Sequence, residues 1–542
     1  MSYQVLSALI AGLFAHNAIF IHGEWHMHIP HIIVGHFLPW LLVLYCLFQI
    51  DETVSFGEAL QSAAAIGASY LTALFTSMTI YRIFFHNLTK FPGPRLAAVS
   101  KLWHVFQIRD STNYLFLRKL HEMYGTFIRT GPNEITLVHP AAFHLLDGWG
   151  TGTTKDIWYD ILQPQTSAVF TRDEREHKEG RKVWAHSLST KAMMSFHPRI
   201  AQVARSLSGY IKAHSAQPVD VNEVMSWFSF DVMGDVVFGQ DFNLLGSGAW
   251  IPAIHHRDGA LSLVGPIGDA IWIGRMAFDL IPFYGRVKDW FHMVSFCEDR
   301  IQERLNRGTV GDKLDMAKFF IDEYEMNSDV KTLKARNLWL AGTAVTAVVA
   351  GSDTTRAALI ATCWFLSKYP EHANKILAEL QDVDINDINV LTTLPHLEGF
   401  MHETLRLVPP AMTGNSRITG PNGLQVDNVL IPPFTKVTAP KYVIMRMESA
   451  FVYPDEFIPE RWYSRPELIR DARAFAPFSV GGRQCVGKAL AYAELRLVTA
   501  ILLQHYHIQF APGYDPETMW RDMKDQVTAQ PGQVMCIFKP RS

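Results

Sequence analysis

A cysteine stands in the glycine-rich stretch FSVGGRQCVG, which runs from Phe478 to Gly487 and immediately precedes a long apolar segment. That segment carries leucine and valine at helical spacing, so Cys485 is predicted to lie at or near a helix N-terminus. Free backbone N–H groups and the positive end of the helix dipole favour a thiolate there. The residue types permit three kinds of chemistry: a covalent nucleophile, a soft metal ligand or an inert structural thiol.

The residues around Cys485 bear on these three alternatives. The stretch contains no histidine, so a nucleophile would lack a local base. A bare metal site needs further cysteine or histidine at set spacing, and the five cysteines of the chain are widely scattered. Gly487 has no side chain, so a flat group could lie against the turn. Arg483 supplies a cation for an acidic part of such a group.

The complete pattern F-x-x-G-x-R-x-C-x-G is carried by Phe478, Gly481, Arg483, Cys485 and Gly487. It resembles the haem-binding loop of the cytochrome P-450 family. The resemblance implies that Cys485 is the axial thiolate ligand of haem b, iron protoporphyrin IX. It also implies a mainly α fold with a smaller β-sheet part, and the helical pattern that dominates the chain after residue 101 agrees with that fold class.

A second resemblance concerns charged residues. The stretch HETLR places Glu403 and Arg406 on one face of a helix, and PERW supplies Arg461. Either motif alone is weak, because surface helices often carry such pairs. Together they resemble the Glu-Arg-Arg triad of the family, a buried charge network that supports folding and haem retention. Burying three charges is tolerable only if each one is fully partnered.

The stretch AGSDTT, residues 350–355, lies inside a long apolar helix predicted over about 335–368. Such polar residues are unfavourable in the middle of a helix, and in isolation they indicate a polar stripe bonded to local carbonyls. The resemblance instead makes this the distal helix above the haem. Gly351 would then leave room for dioxygen, and Asp353 and Thr354 would relay protons to it.

Haem carries two propionates, so cations are expected to converge on it. Arg483 is one candidate. In HKEGRKVW, His177 and Arg181 lie one helical turn apart and match the propionate-binding helix of the family, although many relatives have Trp at the position of His177. Arg417, which follows the helix of Glu403, is a further candidate.

The elements around Cys485 must hold the site in place, and the chain begins with long apolar stretches that precede them. Residues 5–21, 32–50 and 59–85 form apolar stretches of the length that can span a membrane. Residues 1–90 are therefore predicted to be a membrane anchor with two or three transmembrane helices, and residues 91–542 to be the catalytic domain. The first stretch lacks the basic leader and cleavage site of a secretory signal.

Charge placement predicts the orientation of the anchor. Arg82, Lys90 and Arg95 follow the third stretch, whereas the loop 51–58 carries no Lys or Arg. By the positive-inside rule the catalytic domain is cytosolic, at the endoplasmic reticulum membrane. Three spans put the N-terminus in the lumen, and two put it in the cytosol. Asn87, in a glycosylation motif, is then predicted to be unmodified.

The loop HGEWHMHIPH, residues 22–31, contains clustered histidines that could bind zinc. The alternative is an interfacial loop, where His and Trp lie between water and lipid. We favour the interfacial loop, because no cysteine joins the cluster and no helical i, i+4 register repeats.

Overall charge and the resemblance together predict the partners. The net charge of -3, from 49 basic and 52 acidic residues, argues against a nucleic-acid binder. The resemblance implies dioxygen, membrane lipid, a lipophilic small-molecule substrate and an NADPH-cytochrome P-450 reductase. The reductase is expected on the Cys485 side, at a basic face formed by Lys182, Lys441, Arg446 and Lys488.

The resemblance implies a haem-dependent monooxygenase, and the multi-span anchor looks like that of fungal members of secondary metabolism, which oxidise indole alkaloids, terpenoids or polyketides. By family position, the segments expected to face the substrate are 155–171, 262–284, 344–350 and 408–416, and they are mostly apolar and aromatic. Two alternatives stay open: a haem-thiolate isomerase or dehydratase that needs no reductase, and a non-catalytic haem sensor. A channel is disfavoured, because no further spanning stretch follows the anchor.

Overall fold

The structure is a computed structural model that describes residues 2–50, 53–215, 217–308, 313–414 and 416–541. Asp51 and Glu52, in the loop that lacks basic residues, and Asn415, in the segment 408–416 expected to face the substrate, lie outside the described residues. The described chain is mainly helical with small sheets, so the predicted fold class is confirmed.

The N-terminal part is a group of long apolar helices. Its helices are α1 (Ser2–Ala15, continued by a π-helix over His16–Phe20), α2 (Ile29–Ile50) and α3 (Phe56–Ile80, continued by a π-helix over Tyr81–Phe85). Among the described residues, three helices are long and apolar enough to cross a membrane, over 3–20, 29–49 and 56–85. These ranges agree with the stretches predicted from the sequence.

The anchor helices pack against one another through specific contacts. Trp40 Nε1 donates to the Ala63 carbonyl at 3.0 Å, and His36 Nε2 lies 3.0 Å from the Tyr70 hydroxyl, so polar groups of α2 are paired with α3. A Cβ at Gly12 would collide with the Tyr70 carbonyl oxygen, so α1 and α3 approach closely at this glycine.

The helices of the remainder are α4 (Arg95–Val99), α5 (Lys101–Gln107), α6 (Asn113–Tyr124), α7 (Ala142–Asp147), α8 (Glu174–Ser187), α9 (Thr190–Ala213), α10 (Val221–Phe238), α11 (Leu244–Ser247), α12 (Pro252–Ile267), α13 (Ile271–Leu280), α14 (Gly285–Arg307), α15 (Met316–Met326), α16 (Leu333–Lys368), α17 (Pro370–Glu379), α18 (Ile388–Leu391), α19 (Pro395–Leu407), α20 (Lys441–Ile444), α21 (Lys488–His505) and α22 (Thr518–Arg521). Helix α16 is the longest of these and carries the predicted distal motif.

The strands are β1 (Phe127–Gly131), β2 (Glu134–Leu137), β3 (Thr154–Lys155), β4 (Val219–Asp220), β5 (Ser416–Ile418), β6 (Leu424–Val426), β7 (Val429–Ile431), β8 (Lys436–Thr438), β9 (Tyr506–Phe510), β10 (Lys524–Gln526), β11 (Thr528–Gln530) and β12 (Met535–Pro540). The largest sheet has the order β1-β2-β8-β5-β3, and β4-β12-β9 form another. Strands β10 and β11 pair antiparallel, as do β6 and β7. In the largest sheet Lys155 lies opposite Arg417, which brings two distant candidate segments together.

Helix α16 forms the centre of the core. Thr332 caps its N-terminus by accepting a hydrogen bond from the Ala335 N–H at 3.2 Å, and Pro370, which cannot continue the helix, begins α17. Residues on all sides of α16 are buried between 340 and 366, where α10, α14, α21 and β9 pack on it. A helix that is surrounded in this way holds its few unburied positions rigidly.

Candidate functional site around Cys485

The loop before α21 presents Cys485. The Cys485 N–H donates to the Phe478 carbonyl at 2.8 Å, which closes the loop around a 3-10 turn at Gly481–Arg483. Gly481 has φ +68°, and a Cβ there would collide with the Asp147 carbonyl oxygen, so the position requires glycine. Gly482 is not left-handed; its missing side chain makes room for the Trp149 ring, 3.1 Å from an ideal Cβ.

The sulfur lies just before the N-terminus of α21, as predicted, since Gly487 is the N-cap residue. The expectation of a thiol with a lowered pKa is wrong. Burial raises the pKa of Cys485, and the Gly487 N–H together with the charges of Arg181, Lys441 and Lys488 offsets this only in part. The helix N-terminus alone does not ionise the sulfur, so ionisation requires a cation bound to it.

One side of the Cys485 sulfur faces open space, while protein packs around its other sides. The Cys485 side chain is exposed, and a Cβ at Gly487 would have only Sγ, at 3.8 Å, within 4 Å. A flat group can therefore lie against this turn.

The buried central part of helix α16, residues 340–366, borders open space at one point. Ala350 is exposed, whereas residues 340–348 and 355–366 of the same helix are buried. The Thr354 hydroxyl, one turn further along, donates to the Ala350 carbonyl at 2.6 Å. The predicted role of Gly351 is wrong, because a Cβ there would collide with the Met233 sulfur instead of filling open space. Gly351 is required for packing against α10, and Ala350 provides the room on the open side.

Asp353 is buried in an ionic network. Its carboxylate lies 2.9 Å from Arg356 Nη2 and 3.7 Å from Arg257 Nη2, accepts from Gln530 Nε2 at 2.7 Å, and accepts from the Thr528 hydroxyl. Burial raises the pKa of Asp353, but Arg356, Arg257 and the two hydrogen bonds outweigh burial and hold it below its ordinary value. Asp353 and Thr354 are adjacent in sequence, yet these contacts aim the carboxylate at the β10–β11 hairpin.

Helix α8 brings two of the predicted cationic residues to the loop. Asp173 caps it by accepting from the Glu176 N–H at 2.8 Å, and one turn apart on the helix lie His177 and Arg181. Arg181 Nη1 donates to the Gln484 carbonyl, one residue from Cys485. Arg181 is therefore bound directly to the cysteine loop.

Arg483 and His177 differ in what they can offer a ligand. Arg483 pairs with Glu174 through Nη2, while its buried Nη1 has no hydrogen-bond partner among the described residues. His177 Nδ1 lies 2.7 Å from the Ala168 carbonyl, so Nδ1 carries the proton. Burial lowers the pKa of His177, and in the neutral ring Nε2 is an acceptor. Arg483 is thus ready to donate to a carboxylate, and His177 is not.

Arg417 is buried and committed to protein partners. Its Nε donates to Asp147 Oδ1 at 2.7 Å, and its Nη1 donates to the Tyr159 hydroxyl at 2.8 Å. Burial lowers the pKa of Arg417, but Tyr159 and Asp147 outweigh burial and raise it above its ordinary value. The structure thus places Arg417 in the site and ties it to Asp147 and to Tyr159, which lies in a segment expected to face the substrate.

Lys155 is the main residue that sequence reasoning missed. Its Nζ is buried and donates to the carbonyls of Ala168, Val169 and Thr171 at 3.0, 2.7 and 2.8 Å. Burial, followed by the charges of Arg483 and Arg417, lowers the pKa of Lys155 to about 6. Lysine is usually exposed, and nothing in the residues next to Lys155 signals that its ammonium group is buried.

The predicted triad is brought together completely. The Glu403 carboxylate accepts from five N–H groups: Arg406 Nε at 2.9 Å and Nη2 at 2.8 Å, Arg461 Nε at 2.9 Å, Trp462 Nε1 at 2.9 Å and the Ile458 backbone at 3.0 Å. Glu403, Arg406 and Arg461 are all fully buried. Burial raises the pKa of Glu403, but the two arginines outweigh it and hold the pKa below its ordinary value. Every charge is partnered, as burial demands.

The predicted basic face is wrong for two of its residues. Lys441 is buried and donates to the Ser479 hydroxyl at 3.1 Å, and burial lowers its pKa to about 8. Arg446 is buried against the Tyr442 and Leu407 carbonyls. Lys182 and Lys488 are exposed and remain available to a partner.

The residues fit a flat metal complex with acidic substituents. A thiol borders open space, an arginine nitrogen lacks an acceptor, and Arg181, Arg417 and Arg483 outnumber Asp147 and Glu174, the carboxylates that pair with them. Haem b supplies what is missing: a cation for the sulfur and carboxylates for the excess positive charge.

Comparisons with known proteins agree with this assignment. Residues 92–538 match the cytochrome P-450 family. The chain is 32% identical to cytochrome P-450 monooxygenase phqL of Penicillium fellutanum, over 96% of this chain and 92% of that protein. It is 30% identical to tryprostatin B 6-hydroxylase of Aspergillus fumigatus, over 97% of this chain and 94% of that protein. The haem domain of cytochrome P-450DA has the same fold, with TM-score 0.66 and 17% identity over 81% of this chain and 95% of that one.

Proposed function

The chain belongs to the cytochrome P-450 family and is a haem-dependent monooxygenase, and we propose that Cys485 is the thiolate ligand of its haem. The observation that carries this proposal is a comparison among the five cysteines of the chain. Cys297, Cys363 and Cys536 are buried, and Cys46 is on the apolar helix α2. Cys485 combines exposure to open space with cations and a helix N-terminus.

Thiolate-ligated haem, when bound, activates dioxygen with two electrons and inserts one oxygen atom into the substrate. The protein supplies the surroundings for this chemistry. We propose that Arg181 and Arg483 hold the propionates, with Arg417 adding positive charge behind them and Lys155 fixing the nearby carbonyls of Ala168, Val169 and Thr171. Phe478 and Gly487 shape the turn on the thiolate side, and His177 joins the propionate contacts when its ring is protonated.

Thr354 and Asp353 are proposed to move protons on the distal side. The Thr354 hydroxyl is fixed by the Ala350 carbonyl beside open space, so it can pass a proton there. Asp353 is held by Arg356 and by the β10–β11 hairpin, so its carboxylate reaches Thr354 only by rotating out of that network. The network has no net charge, because its two arginines balance its two aspartates: Arg257, Arg356, Asp353 and Asp258. This balance limits the free-energy cost of rotating the Asp353 carboxylate.

We propose that residues 1–90 are a three-span anchor in the endoplasmic reticulum membrane and that residues 91–542 form the cytosolic catalytic domain. The loop between α1 and α2 contacts the catalytic domain through His26 and Asp160, so both lie on the same side of the membrane. A luminal N-terminus and an unmodified Asn87 follow. Protease protection of an N-terminal epitope in sealed microsomes tests this topology.

The substrate is proposed to be a lipophilic small molecule of fungal secondary metabolism, with electrons supplied by an NADPH-cytochrome P-450 reductase. One relative is a hydroxylase of tryprostatin B, which supports a substrate of comparable size. Lys182 and Lys488 are the exposed cations proposed to meet the reductase. Metabolite profiling of a deletion strain, followed by a microsomal assay of the accumulated compound with and without NADPH and oxygen, identifies the reaction.

The role of Cys485 is tested by spectroscopy. The ferrous carbon monoxide adduct of the full chain is expected to show a thiolate-type Soret band, and Cys485→His is expected to show an imidazole-type band. Cys46→Ser is the matched control, because it removes the other exposed cysteine and should leave the spectrum unchanged. A thiolate-type band that persists in Cys485→His contradicts the assignment.

A further inference from the structure

The loop between the first two anchor helices, residues 21–28, is bound to the catalytic domain; we refer to it as the anchor loop. His26 Nε2 lies 2.8 Å from Asp160 Oδ2, and both side chains are buried. Glu24 accepts two hydrogen bonds from Arg172, at 2.7 and 2.8 Å, and Arg172 also donates to Asp160 at 3.0 Å. Four side chains from two distant parts of the chain thus form one ionic cluster.

This cluster gives a role to His26, one of the histidines that suggested a metal site. Arg172 places a permanent positive charge between the carboxylates of Glu24 and Asp160, where a metal cation would otherwise be attracted. Burial raises the pKa of Asp160, but His26 and Arg172 outweigh burial and lower it below its ordinary value, so the carboxylate is charged. Bidentate and charge-assisted hydrogen bonds of this kind are among the strongest in proteins.

Asp160 and Arg172 both belong to one segment, residues 157–172. The anchor loop contacts one side of this segment, and the distal helix α16 contacts the opposite side. The Ser167 hydroxyl lies 2.8 Å from the Thr346 hydroxyl of α16, and the Thr166 N–H donates to the Leu338 carbonyl at 3.3 Å. A Cβ at Gly342 would collide with the Thr166 carbonyl oxygen, so α16 and the segment are in close contact. The segment therefore lies between the anchor loop and the helix that carries Thr354.

The same segment reaches the cation cluster near Cys485. The Tyr159 hydroxyl accepts from Arg417, and the Ala168 carbonyl accepts from Lys155 and from His177. A displacement of residues 157–172 would therefore move Arg417, Lys155 and His177 at the candidate haem site.

Space for such a displacement exists on the anchor side. A cavity of about 470 Å³ lies beside these contacts, between the anchor loop and the segment, and its lining includes Glu24, Met27, Gln163, Phe170 and Arg172. Packing leaves part of this side of the segment unfilled, so the ionic cluster supplies the direct hydrogen bonds that join the segment to the anchor loop.

We propose that His26 and Glu24 are positioning residues of the monooxygenase: the anchor loop fixes residues 157–172 and thereby limits the admission of bulky ligands to the haem site. The proposal rests on the proposed function, because it requires that residues 157–172 form a wall of the haem site. It assigns the membrane anchor a part in ligand selection in addition to membrane attachment.

Hydrogen exchange of the full chain in lipid nanodiscs tests the positioning directly and does not depend on haem. His26→Phe keeps a ring but removes the donor to Asp160, and the amides of residues 157–172 are expected to exchange about tenfold faster. His26→Gln retains an N–H donor and is expected to restore protection. His22→Phe is the matched control, because His22 is an exposed histidine of the same loop.

Azole binding to the ferric holoenzyme tests admission. The probes are clotrimazole, which is bulky, and imidazole, which is small; both are followed by the shift of the Soret band. In His26→Phe the association rate of clotrimazole is expected to rise about tenfold, while that of imidazole changes less than about twofold. A general loss of structure would change both rates together.

The outcomes are separable. Unchanged exchange of residues 157–172 in His26→Phe, failure of His26→Gln to restore protection, or an equal effect of His22→Phe overturns the proposal. A clotrimazole rate that stays at the wild-type value despite faster exchange overturns the part concerning ligand admission. Absence of any azole-induced Soret shift in the wild type refutes the proposed function instead, and the exchange data still decide the positioning.

Discussion

Replacement of Glu403 by alanine should destabilise the protein more than most single substitutions do. The change removes a carboxylate that accepts from five N–H groups and leaves Arg406 and Arg461, both fully buried, without their shared counter-charge. Breaking a buried ion pair by removing one partner costs about 3–5 kcal/mol. Since domains are typically stable by about 5–15 kcal/mol, this is a large fraction of the total.

The structure also predicts how that loss divides between charge and shape. Glu403→Gln keeps an acceptor oxygen at about the same position but removes the negative charge, so its effect should lie between those of the wild type and Glu403→Ala. Glu179→Ala is the matched control, because Glu179 forms an exposed pair with Arg175 on a helix surface. That control should leave stability and haem content unchanged.

Two measurements check this prediction. Urea unfolding followed by tryptophan fluorescence gives the change in free energy of unfolding, and the pyridine haemochrome gives haem per polypeptide. Glu403→Ala is expected to shift the folded-to-unfolded ratio by about two to nearly four orders of magnitude and to retain little haem. A loss below about 1 kcal/mol, together with full haem content, would refute the reasoning that the triad is a charge network on which the fold depends.

Three further predictions follow from the same geometry. Thr354→Ala should keep full haem content but release several-fold more peroxide per NADPH consumed, with Thr354→Ser restoring coupling; unchanged peroxide release would contradict the proton role. Asp353→Asn should lower stability by about 3 kcal/mol, since Arg356 and Arg257 lose their buried counter-charge, and urea unfolding measures this. His396 is buried, and burial with the neighbouring His372 lowers its pKa to about 4. Between pH 6.5 and 4 the unfolded state then binds more protons, so stability should fall by about 2–4 kcal/mol as pH decreases through this window, and His396→Asn should lack that part of the slope.

The sequence predicted those parts of the molecule that depend on local pattern. The apolar anchor helices, the turn before α21 and the helix that bears Thr354 follow from spacing and residue type. Glu403 and Arg406 could be placed together because they lie three positions apart on one helix. Arg461 joined them through the resemblance to a family, because no periodicity links positions that are 58 residues apart.

Contacts between distant residues could not be predicted in this way. Arg417 and Asp147 are 270 positions apart, and His26 and Asp160 are 134 apart. Lys441 and Arg446 were expected at the surface because charged side chains usually lie there, whereas the fold buries them against carbonyl and hydroxyl oxygens. Gly351 was misinterpreted for a similar reason, because a glycine in sequence does not reveal which neighbour fills the space it leaves.

The close approach of α1 and α3 at Gly12 has a practical consequence for production of the enzyme in a foreign host. Because a side chain at this position would strike the Tyr70 carbonyl, a replacement first helix without glycine here would be pushed away from α3. Recombinant expression should therefore begin from the native N-terminal helices, and purification tags belong at the opposite end of the polypeptide.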